Sequence, residues 1–118
     1  MKTIMIVDDR PDDLQTMDMI LKNEGYEVVT ANDGEEALGQ LEKTNIDLIL
    51  IDIMMPNLSG LDLLRILRKR IHQNIPVVLV SIKPEKEVDL SSVNGFVQKP
   101  FSPQSLIEAV NKTIGEKN

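Results

Sequence analysis

The chain has 118 residues and a mass of 13.3 kDa, which fits one domain with one hydrophobic core. Its hydrophobic content of 42% and charged content of 27% are typical of a folded globular protein. The absence of cysteine excludes disulfides and thiolate metal sites, and a single histidine, His72, does not suit a multi-histidine site. A net charge of −6 and only three aromatic residues argue against direct nucleic-acid binding.

No stretch of the sequence has the length and composition of a membrane span or an export signal. The first apolar run, residues 4–7, ends at Asp8 and is too short for a signal-peptide core. The longest apolar stretch, residues 46–56, is interrupted by Asp47 and Asp52. We therefore expect a cytoplasmic protein with no membrane insertion, organised as one domain over residues 1–118.

The apolar pattern alternates between short continuous runs and helical stripes. The runs predict strands at 3–7, 27–31, 47–51, 76–80 and 95–98. Helices are predicted after Pro11, around Ala37–Leu41, from Leu61 to about Arg70, and after Pro103. Strands that alternate with helices imply a parallel sheet covered on both faces.

The segment between the fourth and fifth strands departs from this regularity. Residues 82–94 are only thirteen residues, close to the minimum for a parallel crossover. Its apolar residues share no clean helical face, and Pro84 and the pair Ser91-Ser92 add little helix propensity. We predict that the helix in this crossover is short or irregular.

Chemically active side chains collect where the predicted strands end. Asp8 and Asp9 follow the first strand, Asp52 the third, Ser81 the fourth and Lys99 the fifth. The carboxyl ends of parallel strands meet at one edge, where α/β sheets bind ligands. Three crowded carboxylates need a cation, and oxygen ligands suit Mg²⁺. A carboxylate beside Mg²⁺, a lysine and a hydroxyl can accept a phosphoryl group.

In these features the sequence resembles the receiver domains of two-component response regulators, similar to the stand-alone chemotaxis regulator. The resemblance implies a flavodoxin-like, doubly wound (βα)5 sandwich with a five-stranded parallel sheet in the order 2-1-3-4-5. The resemblance covers nearly the whole chain, and its five separate motifs occur in the family's order. The matching residues are Asp8-Asp9, Asp52-Ile53-Met54-Met55-Pro56 with Gly60, Ser81, and Lys99-Pro100-Phe101.

The resemblance also implies a role for each matching residue. Asp52 would be the phosphoryl acceptor, and Mg²⁺, or Mn²⁺ as an alternative, would bind to Asp8, Asp9, Asp52 and the backbone carbonyl of Met54. Lys99 would pair with the phosphoryl oxygens, and Ser81 would move to hydrogen-bond them.

Two further positions match features that receivers share. Phe96 lies where the family places an aromatic switch, although simple core filling explains it equally well. The peptide bond between Lys99 and Pro100 would be cis.

One position departs from the family's usual residue, and two others lie where the family tunes the hydrolysis rate of the phosphoryl group. Ile82, next to Ser81, replaces a small residue, and Met54 cannot hold a water well. Lys83 could shield or pair with the phosphoryl group. Together these residues predict an aspartyl phosphate that hydrolyses slowly.

The resemblance implies a signalling switch and not an enzyme in the ordinary sense. The phosphoryl donor would be a histidine kinase or phosphotransfer protein, and a downstream protein would read the state in trans. No DNA-binding output domain fits in these residues, and we expect a monomer or a weak dimer.

Several alternative interpretations remain open from the residues alone. Asp8 and Asp9 could be simple helix caps, and Ser81 an ordinary strand-end hydroxyl. A haloacid-dehalogenase-like phosphatase would need an aspartate at the position of Met54. A flavodoxin-like FMN carrier would need a phosphate loop after the first strand, which the sequence lacks. A constitutive interaction module would have no use for the acceptor, hydroxyl and lysine together.

Overall fold

A computed structural model of the protein describes residues 1–69 and 74–115. The sequence-based interpretations of Arg70 and His72 lie outside these residues. The described elements are β1 (Thr3–Val7), α1 (Pro11–Asn23), β2 (Glu27–Ala31), α2 (Gly34–Leu41), β3 (Leu48–Asp52), α3 (Gly60–Lys69), β4 (Val77–Ser81), β5 (Gly95–Gln98) and α4 (Pro103–Ile114).

The five strands form one parallel sheet in the order β2-β1-β3-β4-β5, which confirms the predicted doubly wound topology. The central strands β1, β3 and β4 are almost completely buried. Continuous Val, Ile and Leu runs form such strands because both of their faces are covered. The register pairs Val7 with Ile51 and Asp52 with Val80, so the strand ends lie at a common edge.

Helices cover the two faces of the sheet in pairs. Helices α2 and α3 pack with one set of alternating strand residues, and α1 and α4 pack with the other. Side chains alternate between the faces of a strand, so neighbouring residues enter different cores. On the first face the packing includes Met5, Ile49 and Leu63; on the second it includes Ile6, Leu50 and Leu106.

The starts of the helices explain how the chain reverses after each strand. Pro11 opens α1, where its missing N–H removes no hydrogen bond. The Asp33 carboxylate caps α2 by accepting from the Glu36 N–H at 2.8 Å. Ser102 and Ser105 form a reciprocal capping box at the start of α4. In the described residues, no helix has the length and apolar character needed to cross a membrane.

Two strands, β3 and β4, begin and end one residue later than the sequence-based prediction. Asp47 precedes β3, and its carboxylate accepts a hydrogen bond from the Thr3 N–H at 2.8 Å. Pro76 precedes β4 because it has no N–H to donate to the sheet. Asp52 and Ser81 are the last residues of β3 and β4 and not the first loop residues.

The crossover between β4 and β5 contains a single 3-10 turn, Glu85–Glu87, and no α-helix. This confirms the prediction that its helix is short or irregular. The Arg68 guanidinium, on α3, donates to the carbonyls of Ile75 at 2.8 Å and Ser92 at 3.0 Å. Arg68 therefore joins the crossover to the body of the domain.

We predict that Arg68→Ala lowers the free energy of unfolding by about 1–3 kcal/mol, because it leaves carbonyls without their charged donor. Arg65→Ala is the matched control. Arg65 lies on the same helix, and its exposed side chain pairs with Asp62 at the surface, so its loss should cost about 0.5 kcal/mol. Urea unfolding of both variants measures the difference, and equal losses would contradict the role of Arg68.

Candidate functional site

Four buried polar or charged side chains in the described part of the chain lie at one edge of the sheet. They are Asp8, Asp52, Ser81 and Lys99, and none is more than 9% exposed. Asp8 directly follows β1, Asp52 and Ser81 end β3 and β4, and Lys99 directly follows β5. The sequence-based prediction that the strand ends bring these side chains together therefore agrees with their placement.

The acidic part of this edge consists of Asp8, Asp9 and Asp52. One carboxylate oxygen from each lies within 4.8 Å of the others. Backbone N–H groups orient two of these carboxylates. Asp8 Oδ1 accepts from the Arg10 N–H at 2.9 Å, and Asp52 Oδ1 accepts from the Met54 N–H at 3.1 Å. Asp9 Oδ1 is buried but accepts no hydrogen bond from the described residues.

These features fit a hard divalent cation. A buried carboxylate oxygen without a partner is costly, and three converging carboxylates repel one another. A cation such as Mg²⁺ would satisfy Asp9 and offset this repulsion, and carboxylate oxygens are the ligands that it prefers. Asp8, Asp9 and Asp52 are the residues that would hold it.

The Lys99 ammonium contacts three carboxylates. Its Nζ lies 2.7 Å from Asp13 Oδ2, 3.0 Å from Asp8 Oδ2 and 3.5 Å from Asp52 Oδ2. The contact of Lys99 with Asp13 was not predicted from the sequence. The signal in the sequence is only that Asp13 lies in the first turn of the helix that follows Asp8 and Asp9.

The surroundings alter the pKa values of the two central groups. Burial raises the pKa of Asp52 to about 6, and the negative charge of Asp8 adds to the effect, while Lys99 and the Met54 N–H oppose it. Burial alone would lower the pKa of the Lys99 ammonium. Its hydrogen bonds to Asp13 and Asp8, with the charges of Asp8 and Asp52, outweigh burial and raise that pKa overall.

A cavity of about 470 Å³ opens above Asp52. Two exposed apolar side chains line it, Met54 at 50% exposure and Ile82 at 61%. Ser81 and Lys83 do not line this cavity. Instead the Ser81 hydroxyl accepts a hydrogen bond from the Lys83 N–H at 3.0 Å. The other lining residues are Asp9, Arg10, Asp13, Lys99 and Pro100.

Phe96 and Pro100 complete the residues singled out from the sequence. The Lys99–Pro100 peptide bond is cis in the structure. Phe96 lies on β5, is half-buried, and packs on the core face covered by α2 and α3. It lines a separate groove of about 490 Å³ with Leu90 and Val93, so the structure does not bring it into the acidic cavity.

The fold and this edge together define a doubly wound α/β domain with a carboxylate and lysine site at the carboxyl ends of its strands. The family model for the response regulator receiver domain matches residues 4–111. The chain therefore belongs to the receiver domain family of two-component signalling.

Curated relatives support this assignment. The chain is 39% identical over 115 residues to the CAI-1 autoinducer sensor kinase/phosphatase CqsS of Vibrio cholerae, covering 92% of this chain and 17% of that protein. It is 32% identical over 116 residues to the DNA-binding response regulator MtrA of Mycolicibacterium smegmatis, covering 94% and 50%. The chain thus spans half or less of the length of these relatives.

Solved structures show the same fold over nearly their whole length. The chemotaxis protein CheY4 of Vibrio cholerae is 30% identical, with a TM-score of 0.89 and coverage of 96% of this chain and 98% of that one. The response regulator TrrA of Thermotoga maritima, solved in complex with Mg²⁺-BeF, is 34% identical, with a TM-score of 0.87 and coverage of 96% and 99%.

Proposed function

We propose that this domain is a phosphorylation-dependent switch that accepts a phosphoryl group on Asp52. The observation that carries the proposal is the setting of Asp52: it is 4% exposed, clustered with Asp8 and Asp9, and 3.5 Å from the Lys99 ammonium. A structural carboxylate would not need a cavity above it, two further carboxylates and a buried lysine. Membership of the receiver family supports the same role.

The transfer needs a nucleophile and positive charge around the phosphoryl oxygens. An Asp52 carboxylate oxygen attacks phosphorus, and the bond from phosphorus to the donor nitrogen breaks as the acyl phosphate forms. The nitrogen belongs to a histidine of a histidine kinase or phosphotransfer protein. Lys99 offsets charge on the equatorial oxygens. Mg²⁺, or Mn²⁺ in its place, would supply Lewis-acid stabilisation at Asp8, Asp9, Asp52 and the Met54 carbonyl.

Ser81 carries the signal away from the site in this proposal. Its hydroxyl is fully buried and bonded only locally, to the Lys83 N–H, among the contacts described. Movement of Ser81 toward the phosphoryl group would give up that bond and rearrange the start of the crossover. Phe96, half-buried on the neighbouring strand, would respond to that rearrangement, so two arrangements of this face would report the phosphorylation state.

A downstream protein would read the state in trans, in the cytoplasm, with the domain acting as a monomer or weak dimer. The net charge of −6 supports a protein partner and not direct contact with nucleic acid. Its chemistry would be limited to assisting its own phosphorylation and slow dephosphorylation, so we do not propose a conventional enzyme.

Phosphoryl labelling tests the proposal. Incubation with acetyl phosphate and Mg²⁺ should add one phosphoryl group to the protein, detected by intact-mass measurement, and EDTA should prevent the addition. Asp52→Asn should abolish labelling. Asp12→Asn, an exposed carboxylate in the first turn of α1, should label normally. Labelling of Asp52→Asn at the wild-type rate, or no labelling of the wild type, would contradict the acceptor role.

The apolar side chains at the cavity lead to a prediction about hydrolysis. Ile82→Ala should open a path for water, and Met54→Asn should provide a side chain that holds a water molecule. Each variant should therefore lose phosphate up to about tenfold faster. A tenfold faster rate requires an activation barrier that is lower by only about 1.4 kcal/mol. Loss of label after donor removal measures the rate. Met19→Ala, an exposed methionine on α1, is the control, and no acceleration in either site variant contradicts the prediction.

A further inference from the structure

Lys99 has no donor to spare in the structure as it stands. An ammonium group has three hydrogens, and Lys99 Nζ has carboxylate oxygens of Asp13, Asp8 and Asp52 at 2.7, 3.0 and 3.5 Å. A phosphoryl group on Asp52 would bring new oxygens toward the same ammonium. Lys99 can direct more than one hydrogen to them only if its contact with Asp8 or Asp13 is also lost.

The burial of the three carboxylates indicates which contact is lost at least cost. Phosphorylation removes the negative charge of the Asp52 carboxylate itself, so its 3.5 Å contact with Lys99 passes to the phosphoryl oxygens. Of the two other carboxylates, Asp8 is 0% exposed, and leaving it without a cation is expensive. The Asp13 side chain is 31% exposed and can be hydrated. It also has a second cation, since Arg10 Nε lies 3.5 Å from the same Oδ2 that Lys99 contacts.

We propose that Asp13 is a positioning residue that holds Lys99 in the unphosphorylated state and releases it to the phosphoryl group. Asp13 thereby competes with the phosphoryl oxygens for one ammonium and sets how tightly the site retains them. The inference rests on the proposed function and concerns the regulation of the same site. It assigns the aspartate at the start of α1 a role other than metal binding or helix capping.

The experiment measures binding of beryllofluoride, a phosphoryl analogue, at saturating Mg²⁺ by isothermal titration. Asp13→Asn keeps the shape of the side chain but removes the competing charge. We expect its beryllofluoride dissociation constant to fall by about fivefold, equivalent to about 1 kcal/mol. Asp12→Asn removes the same charge from the neighbouring, exposed position and should change the constant by less than about 1.5-fold, since charges in water are strongly screened.

A second measurement follows Lys99 itself in the metal-free protein. Asp13→Asn should speed the exchange of the Lys99 ammonium protons with water, observed by nitrogen-15 NMR, and Asp12→Asn should not. A role for Asp13 in helix stability alone would alter unfolding without altering this exchange or the beryllofluoride constant.

The outcomes separate the inference from the proposed function. Tighter beryllofluoride binding in Asp13→Asn alone supports the inference. Wild-type binding with no tightening in Asp13→Asn, or equal tightening in Asp12→Asn, overturns the inference and leaves the proposed function standing. Absence of beryllofluoride binding by the wild type overturns both.

Discussion

Replacing Gly60 with alanine is expected to lower the free energy of unfolding by about 2–4 kcal/mol, among the larger effects of a single methyl group. A Cβ at Gly60 would overlap the Asp52 carbonyl oxygen and lie 2.7 Å from Ile53 Cα. Both are backbone atoms at the end of β3, so neither can rotate away. The end of β3 or the start of α3 would have to move.

The same displacement should weaken the site, because the atoms in the way belong to Asp52 and its neighbour. The Gly60 N–H donates to the Ile53 carbonyl at 3.0 Å, which fixes α3 against the end of β3. We therefore expect Gly60→Ala to label more slowly with acetyl phosphate even under conditions in which it is folded. Urea unfolding gives the stability, and intact-mass measurement after a fixed labelling time gives the second effect.

Gly39→Ala is the matched control for Gly60→Ala. Gly39 lies within α2, is exposed, and has no atom within 4 Å of an added Cβ. Alanine in a helix is favoured over glycine, so this variant should gain about 0.5–1 kcal/mol. Equal unfolding midpoints for the two variants would contradict the close packing of α3 against β3.

The main features of the site at the carboxyl edge of the sheet could be predicted from the sequence, because they depend only on where the strands end. Each of four predicted strands is followed at once by one of these residues, Asp8, Asp52, Ser81 and Lys99, and parallel strands bring such positions to one edge. No knowledge of helix orientation is needed for that step. The irregular crossover was predictable for a separate reason, because residues 82–94 are few and carry no helical stripe of apolar residues.

Features that depend on how helices lie over the sheet were not predictable in the same way. The contact of Asp13 with Lys99 requires the direction in which α1 leaves β1, which the apolar stripe of α1 does not specify. The role of Arg68 was not predictable either, because it donates to backbone carbonyls of Ile75 and Ser92, and carbonyls leave no signature in a sequence. The one-residue shift at Asp47 likewise depends on an individual hydrogen bond, which its carboxylate accepts from the Thr3 N–H.

In the metal-free protein, Asp52→Asn is expected to become increasingly more stable than the wild type as the pH rises from about 4 to about 7. Burial and the charge of Asp8 raise the pKa of Asp52 from 3.8 to about 6, so the folded protein favours the neutral carboxyl. The stabilisation from that proton is fully present below the unfolded pKa of 3.8 and is lost as the pH rises through about 6.

Asparagine is neutral throughout, so the variant escapes this loss. The stability difference between Asp52→Asn and wild type should grow by up to about 3 kcal/mol across the range, because one unit of pKa shift corresponds to about 1.4 kcal/mol. Urea unfolding in EDTA at several pH values measures it. A difference that shrinks as the pH rises would show that the Asp52 pKa is lowered, and would contradict the burial argument.

Mg²⁺ should remove most of this stability difference at neutral pH. A cation bound to Asp8, Asp9 and Asp52 stabilises only the folded protein, by about 2.7 kcal/mol when its concentration is one hundred times its dissociation constant. Asp52→Asn loses a charged ligand and should gain far less. The carboxylate that destabilises the metal-free fold is therefore the one that makes folding respond to the cation, and comparable Mg²⁺ stabilisation of both proteins would remove Asp52 from the proposed ligands.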